Sequence, residues 1–220
     1  MTAKVYQNNQ NRAREIQRLE DPPVAKSLFG DVRWAWIWLL LRLYVGYEWL
    51  TAGLGKLGNP AWTGDNAGAA ITGFVNGALE QTGGAHPNVQ AWYAWFLENL
   101  VLPNAGLWSY LVTFGEILVG IGLILGIFTG IAAFFGSIMN LNYLLAGTVS
   151  TNPVLFIIAT WLVLAWKTAG WWGLDRWLLP ALGTPWKPGL IFRGEQPLRP
   201  AEGDLLPATG SERLDEERRN

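Results

Sequence analysis

The chain has 220 residues, half of them hydrophobic and only 15% charged, a balance that belongs to a membrane protein rather than to a soluble domain. Its formal net charge of −1 and the lack of a basic stripe in the interior exclude a nucleic-acid binder. With no cysteine and one histidine, His86, it has no material for disulfides, iron–sulfur clusters, thiol redox chemistry, covalently attached haem or a doubly histidine-ligated haem.

In chain order, residues 1–32 are polar and rich in Lys and Arg (Lys4, Arg12, Arg14, Arg18, Lys26) and are expected on the cytoplasmic side. A first membrane span is predicted over Trp34–Gly53, too late and too heavily preceded by polar residues to be a cleaved signal peptide. The following stretch, 58–107, carries no Lys or Arg and is expected outside the cytoplasm. Within it, "NAGAAITGFVNGALEQ" and "PNVQAWYAWFLENLVL" have helical spacing and predict two short capping helices. The second has Pro87 in its first turn and Val89, Trp92, Phe96 and Leu100 on one face. Three more spans are predicted over Tyr110–Phe128, Gly130–Thr148 and Val154–Trp171, each near the roughly 20 residues that cross a hydrocarbon core. The links "IFTG" and "AGTVSTNP" are short, which makes these spans antiparallel neighbours. Lys167, Arg176, Lys187, Arg193 and Arg199 follow, so both termini are expected in the cytoplasm. The predicted fold is thus an all-α integral membrane protein. A four-transmembrane-helix bundle over 33–175 carries two short extracytoplasmic helices in its first loop, and 176–220 is a Pro-rich, charge-mixed cytoplasmic tail.

The spans contradict their own apolar character at a few places. The first holds Arg42, Glu48 and Lys56, with Arg42, Gly46, Trp49, Gly53 and Lys56 on one stripe. Glu116 lies in the second span, Asn140, Asn142 and Tyr143 in the third and Thr160 in the fourth. Counting rise per residue from the predicted span ends puts Arg42 near the midplane and the other mid-span polar residues within roughly 6 Å of it. A charge at that depth costs a few kcal/mol on insertion scales, so the layer is expected to face inward, with Arg42 paired to Glu116 or Glu48. Buried polar groups also act as plain packing contacts between membrane helices, and Asn140, Asn142 and Thr160 suit that role equally well. Most tryptophans sit at predicted interfaces as anchors; Trp49, on the polar stripe, is a candidate to line a ligand.

"RLYVGYEWLTAGLGKL" followed by "GEILVGIGLILGIFTGIAA" resembles the DoxX/DoxD family of four-helix membrane proteins. The matching residues are Arg42, Gly53, Lys56 and Glu116, with "GWWGLDRWL" adding Asp175 and "MNLNYLLAG" resembling the DoxD branch. For that branch the resemblance implies membership of a thiosulfate:quinone oxidoreductase, which oxidises thiosulfate and reduces quinone.

Two functions are therefore weighed. The first is a quinone-interacting oxidoreductase subunit with Arg42, Glu48 and Glu116 as reactive groups and Trp49, Lys56, Asn140, Asn142 and Tyr143 lining the ligand. Such a subunit binds quinone without covalent attachment and has a partner subunit. The second is a non-catalytic accessory subunit that organises a respiratory or photosynthetic membrane complex. A small transporter with a midplane site is a weaker third option, since no broken or repeated helix favours it.

Overall fold

A computed structural model describes residues 21–183, and among them every regular element is helical, with no strand. The expected polar segment before residue 21 and the tail beyond 183 lie outside the described residues. The chain divides into two units, one ending at Arg176 and one beginning at Trp177.

Pro23 opens helix α1 (Pro23–Gly30), where its missing N–H costs nothing. A 3-10 turn over Val32–Trp34 then redirects the chain, and the Asp31 carboxylate accepts the backbone N–H of Arg33 at 2.9 Å and its Nε–H at 2.8 Å. The same two contacts hold the half-buried Asp31 carboxyl below the usual carboxylate range. Helix α2 (Ala35–Leu57) follows and is fastened to α1 by Trp38, whose indole N–H donates to the Leu28 carbonyl at 3.0 Å.

A one-turn helix α3 (Pro60–Thr63) and α4 (Ala69–Leu79) occupy the long connection, so the first of the two capping helices forms where its spacing predicts. The second differs. Helix α5 (Ala91–Phe96) starts four residues after Pro87 and runs through a π-turn (Leu97–Val101) and a 3-10 turn (Leu102–Asn104) straight into α6 (Ala105–Leu125). Pro103 cannot donate to the helical ladder, and the wide and tight turns around it absorb the missing bond without ending the helix. The buried face is also different. Tyr93, Leu97 and Val101 point inward with Val89, whereas Trp92 and Leu100 are exposed.

Helix α7 (Thr129–Leu145) returns beside α6, and α8 (Asn152–Leu164) packs on α7, with a separate turn α9 (Trp166–Ala169) after a break at Ala165. The final helix, α10 (Asp175–Ala181), begins at the end of the first unit. Among the described residues one helical run, Ala91–Leu125, is both long and apolar enough to cross a membrane; α4, α7 and α8 are shorter apolar helices. The expected fourth span, Val154–Trp171, is thus divided, and α2, although 23 residues long, is diluted by Arg42, Glu48 and Lys56.

The tightest contact in the first unit is the antiparallel crossing of α2 and α6. A Cβ on Gly120 would lie 2.6 Å from the Leu50 nitrogen, one on Gly53 2.9 Å from the Ile117 nitrogen, and one on Gly46 3.1 Å from the Ile124 nitrogen. Small residues let the two backbones meet at this distance. The register brings Gly53 level with Glu116 and leaves Lys56 one turn beyond. At the opposite end, the α6–α7 turn passes through Gly126 (φ +66) and Phe128 (φ +46), both left-handed. Phe128 has no capping oxygen, and the carboxylate of Asp175 caps α7 from a distance, accepting the N–H groups of Phe128 at 2.7 Å and Thr129 at 2.8 Å.

Gly120→Ala is expected to lower stability by about 1–3 kcal/mol through overpacking. Gly55→Ala, where a Cβ meets nothing within 4 Å, is expected to raise it by about 0.5–1 kcal/mol. Thermal unfolding of the two variants in detergent, one midpoint below and one at or above that of the parent, checks the crossing.

Candidate functional site

Glu116 is the centre of the site. It is 1% exposed, and both carboxylate oxygens are satisfied. Lys56 Nζ lies 2.7 Å from Oε2, and the hydroxyl of Tyr143 donates to Oε1 at 2.7 Å. Gly53 makes this possible: its absent side chain leaves α6 close enough for a lysine three residues further along α2 to reach back over one turn. Such charge-assisted bonds are roughly twice as strong as neutral ones, and a buried carboxylate without them is strongly unfavourable.

Lys56 is anchored twice. Its ammonium also sits 5.1 Å from the centre of the Trp62 ring, on α3. That helix is pinned to α6 by Ser109, whose hydroxyl donates to the Trp62 carbonyl at 2.6 Å, and by Tyr110, which donates to the Thr63 carbonyl at 3.1 Å. Tyr143 is held by aromatic contacts on two sides, stacked on Trp49 at 6.4 Å and edge-on to Phe74 at 5.9 Å.

Two cavities meet at this triad. The polar one, about 270 Å³, is lined by Glu48, Trp49, Lys56, Glu116, Tyr143 and the α7–α8 loop from Thr148 to Asn152. Ser150 in that loop has φ +39, a left-handed conformation uncommon for a residue other than Gly. The second cavity, about 360 Å³, is almost wholly apolar, walled by Phe74 of α4, Phe96 of α5, Trp108 and Val112 of α6 and Met139 of α7. Its polar groups are Tyr143, Tyr93 and Asn142, and the Tyr93 hydroxyl lies 3.0 and 3.1 Å from the Asn142 carbonyl and side-chain oxygens. Trp62, Phe74 and Tyr143 line both cavities and form the partition between them.

Five of the eight residues named from sequence therefore line the polar cavity: Glu48, Trp49, Lys56, Glu116 and Tyr143. Asn142 belongs to the apolar one. Asn140 is fully buried, lines neither, and its amide has no partner among the described residues. Thr160 bonds only the Phe156 carbonyl of its own helix, as a packing residue does.

Arg42 is a correction. It pairs with neither Glu116 nor Glu48; it donates from Nη2 to the Trp172 carbonyl at 3.1 Å. The Nη1 side of the same guanidinium lies against Gly126 and Gly173, where the missing side chains make room. The reason is register: antiparallel packing sets Arg42 against residue 126, roughly 15 Å along α6 from Glu116 at 1.5 Å per residue. Arg42 and Glu116, expected at one level, thus lie in separate clusters toward opposite ends of α2. The walls from α3, α4 and α5 could not be anticipated, because periodicity gives the buried face of a helix but not the cavity over which a loop folds it.

Lys56→Met is expected to destabilise the protein by about 3 kcal/mol, since it strands a buried carboxylate. The double variant Lys56→Met/Glu116→Gln should recover most of that loss, and a thermodynamic cycle from thermal or denaturant unfolding in detergent measures the coupling. Additive single effects would contradict the pairing.

Comparison with known proteins adds one positive finding. A family model described as TQO small subunit DoxD matches residues 37–192, which include every residue of both cavities. No curated protein and no solved structure matches the chain. With more than half of its length matched, the chain belongs to the DoxD family.

Proposed function

We propose that this chain is an integral membrane protein whose aromatic cavity takes a quinone head group, as a subunit of a thiosulfate:quinone oxidoreductase-type complex. The observation that carries this is the paired cavity: an apolar, ring-lined chamber of about 360 Å³ divided by Tyr143 from a polar chamber containing the Lys56–Glu116 pair. The volume falls within the range of small-molecule pockets, and a few polar groups in an apolar wall are what orient such a ligand.

Membrane placement is supported by the exterior. Leu40, Leu118, Ile131, Phe135, Ile157 and Leu164 are all exposed large side chains, spread over α2, α6, α7 and α8, an apolar surface far too extensive for water. The four helices would form the spans, with α8 and α9 together reaching 18 residues from Asn152 to Ala169. Residues 33–175 would then be the membrane domain, 58–107 its extracytoplasmic loop, and 1–32 and 176–220 the cytoplasmic ends. In that topology both cavities lie on the outer side.

The residues present suit a quinone. Aromatic rings supply stacking faces, and the hydroxyls of Tyr143 and Tyr93 supply hydrogen-bond partners for ring oxygens. When bound, a quinone supplies a two-electron acceptor. Lys56 and the hydroxyl-bearing Thr148, Ser150 and Thr151 line the neighbouring chamber, with Glu48 the opposing charge, and would receive a small anionic electron donor there, only the width of the partition away. Arg42 stands outside both chambers and is proposed to hold the opposite end of the fold. Trp92 and Trp95, 62% and 59% exposed on α5, fit a partner subunit docking there, as the family description of a small subunit implies.

Purified protein is expected to retain quinone in its lipid extract. Val112→Trp, which fills the aromatic chamber, should raise the quinone KM by about tenfold or more, a loss of near 1.4 kcal/mol in binding, with unfolding unchanged. Parent-like kinetics in this variant would move the site elsewhere. Stable partner co-purification without turnover would favour the accessory role.

A further inference from the structure

The geometry points to a built-in proton wire, Lys56 to Glu116 to Tyr143, that delivers protons from the polar chamber to the aromatic one. The inference rests on the quinone reading of the aromatic chamber and adds to it a route and a direction. Lys56 Nζ and Glu116 Oε2 are 2.7 Å apart, Glu116 Oε1 and Tyr143 Oη another 2.7 Å, with no gap in between. The three differ in exposure in the order a wire requires. The Lys56 side chain is 20% exposed, that of Glu116 is 1% exposed, and the hydroxyl-bearing ring of Tyr143 forms the wall shared with the aromatic chamber.

A structural ion pair needs only two members. Here the second carboxylate oxygen is given to the phenol of a residue that lines both chambers. A phenol is the one neutral side chain on that wall with a transferable proton and an acceptor lone pair on the same atom. The other hydroxyl in the chamber, that of Tyr93, meets only the amide of Asn142, and an amide passes no proton onward.

The step balances as follows. Reduction of a quinone to a quinol consumes two electrons and two protons. Two thiosulfate ions joining through a new sulfur–sulfur bond release two electrons. Tyr143 turns its hydroxyl from Glu116 and gives the phenolic proton to the bound quinone's oxygen as that oxygen becomes basic. The Lys56 ammonium passes a proton to the Glu116 carboxylate, Glu116 passes it on to the phenolate, and water in the polar chamber recharges the Lys56 amine. The second proton reaches the far ring oxygen from water. The protons consumed at Tyr143 thus enter from the side where the electron donor binds.

Two conservative variants and two readouts test it. Tyr143→Phe removes the transferable proton while keeping the ring, and Glu116→Gln keeps a hydrogen-bonding partner for Tyr143 that cannot carry a proton. Quinone affinity, read by quenching of tryptophan fluorescence with a short-chain quinone, is expected to stay within about twofold of the parent in Glu116→Gln and to fall by no more than about tenfold, the worth of one hydrogen bond, in Tyr143→Phe. Turnover with thiosulfate is expected to fall about 100-fold in both, the usual scale of a general acid. Undiminished turnover in either variant overturns the wire. So does a loss of affinity that matches the loss of turnover, which would make Tyr143 a wall and nothing more. Parent protein that neither binds nor reduces quinone would bring down the quinone reading itself, a result recognisable because it needs no variant.

Discussion

The site depends on one backbone contact, the close crossing of α2 and α6. Gly46, Gly53 and Gly120 allow the two helices to approach until a Cβ at Gly53 or Gly120 would collide with the facing helix's backbone and one at Gly46 would crowd it. Everything polar follows from that distance. It brings Glu116 of one helix beside Gly53 of the other, so that the lysine one turn further on α2 can reach the carboxylate. A leucine at Gly53 would displace α6, and Lys56 and Glu116 would become separate buried charges, each several kcal/mol uphill.

The same register explains why the two ends of the crossing behave differently. Near Lys56 the polar groups face cavities and satisfy each other. Near Arg42 they are packed into turns: Arg42 fills the space left by Gly126 and Gly173, and Asp175 caps α7 through Phe128 and Thr129. The backbone there is bonded as well, Leu174 to Leu125 at 3.1 Å and Asp175 to Gly126 at 2.8 Å. One end is a rigid clasp and the other a divided chamber. A rigid support on which reacting groups are held at fixed distances is what precise chemistry needs.

Much of this was legible in the residues, and the exceptions have physical causes. Glu116 and Lys56 stood out because charge in an apolar run must face inward, and Trp49 because it shares a stripe with Arg42 and Lys56; all three face inward. Arg42 stood out for the same reason, but depth counted from predicted span ends cannot give the register between two helices, which the glycines set. The α5–α6 fusion was hidden by Pro103, ordinarily a stop signal, whose missing bond is absorbed by a π-turn. Tyr93 and Phe74 carried no signal of a binding wall, because their role arises from where α4 and α5 fold over α6 and α7. Tyr143 fell on the polar stripe of its helix, but its position on the wall between two chambers is a property of the assembled fold alone.

The central claim is that Tyr143 divides an electron-donor chamber from a quinone chamber and touches the quinone. It is tested most directly by an experimental density map of the full chain with a short-chain quinone bound. The account predicts a flat ring between Phe74, Trp108 and Met139, with one ring oxygen within hydrogen-bond distance of the Tyr143 hydroxyl. A quinone found on the outer apolar surface, with the aromatic chamber filled by side chains or a lipid tail, would contradict it.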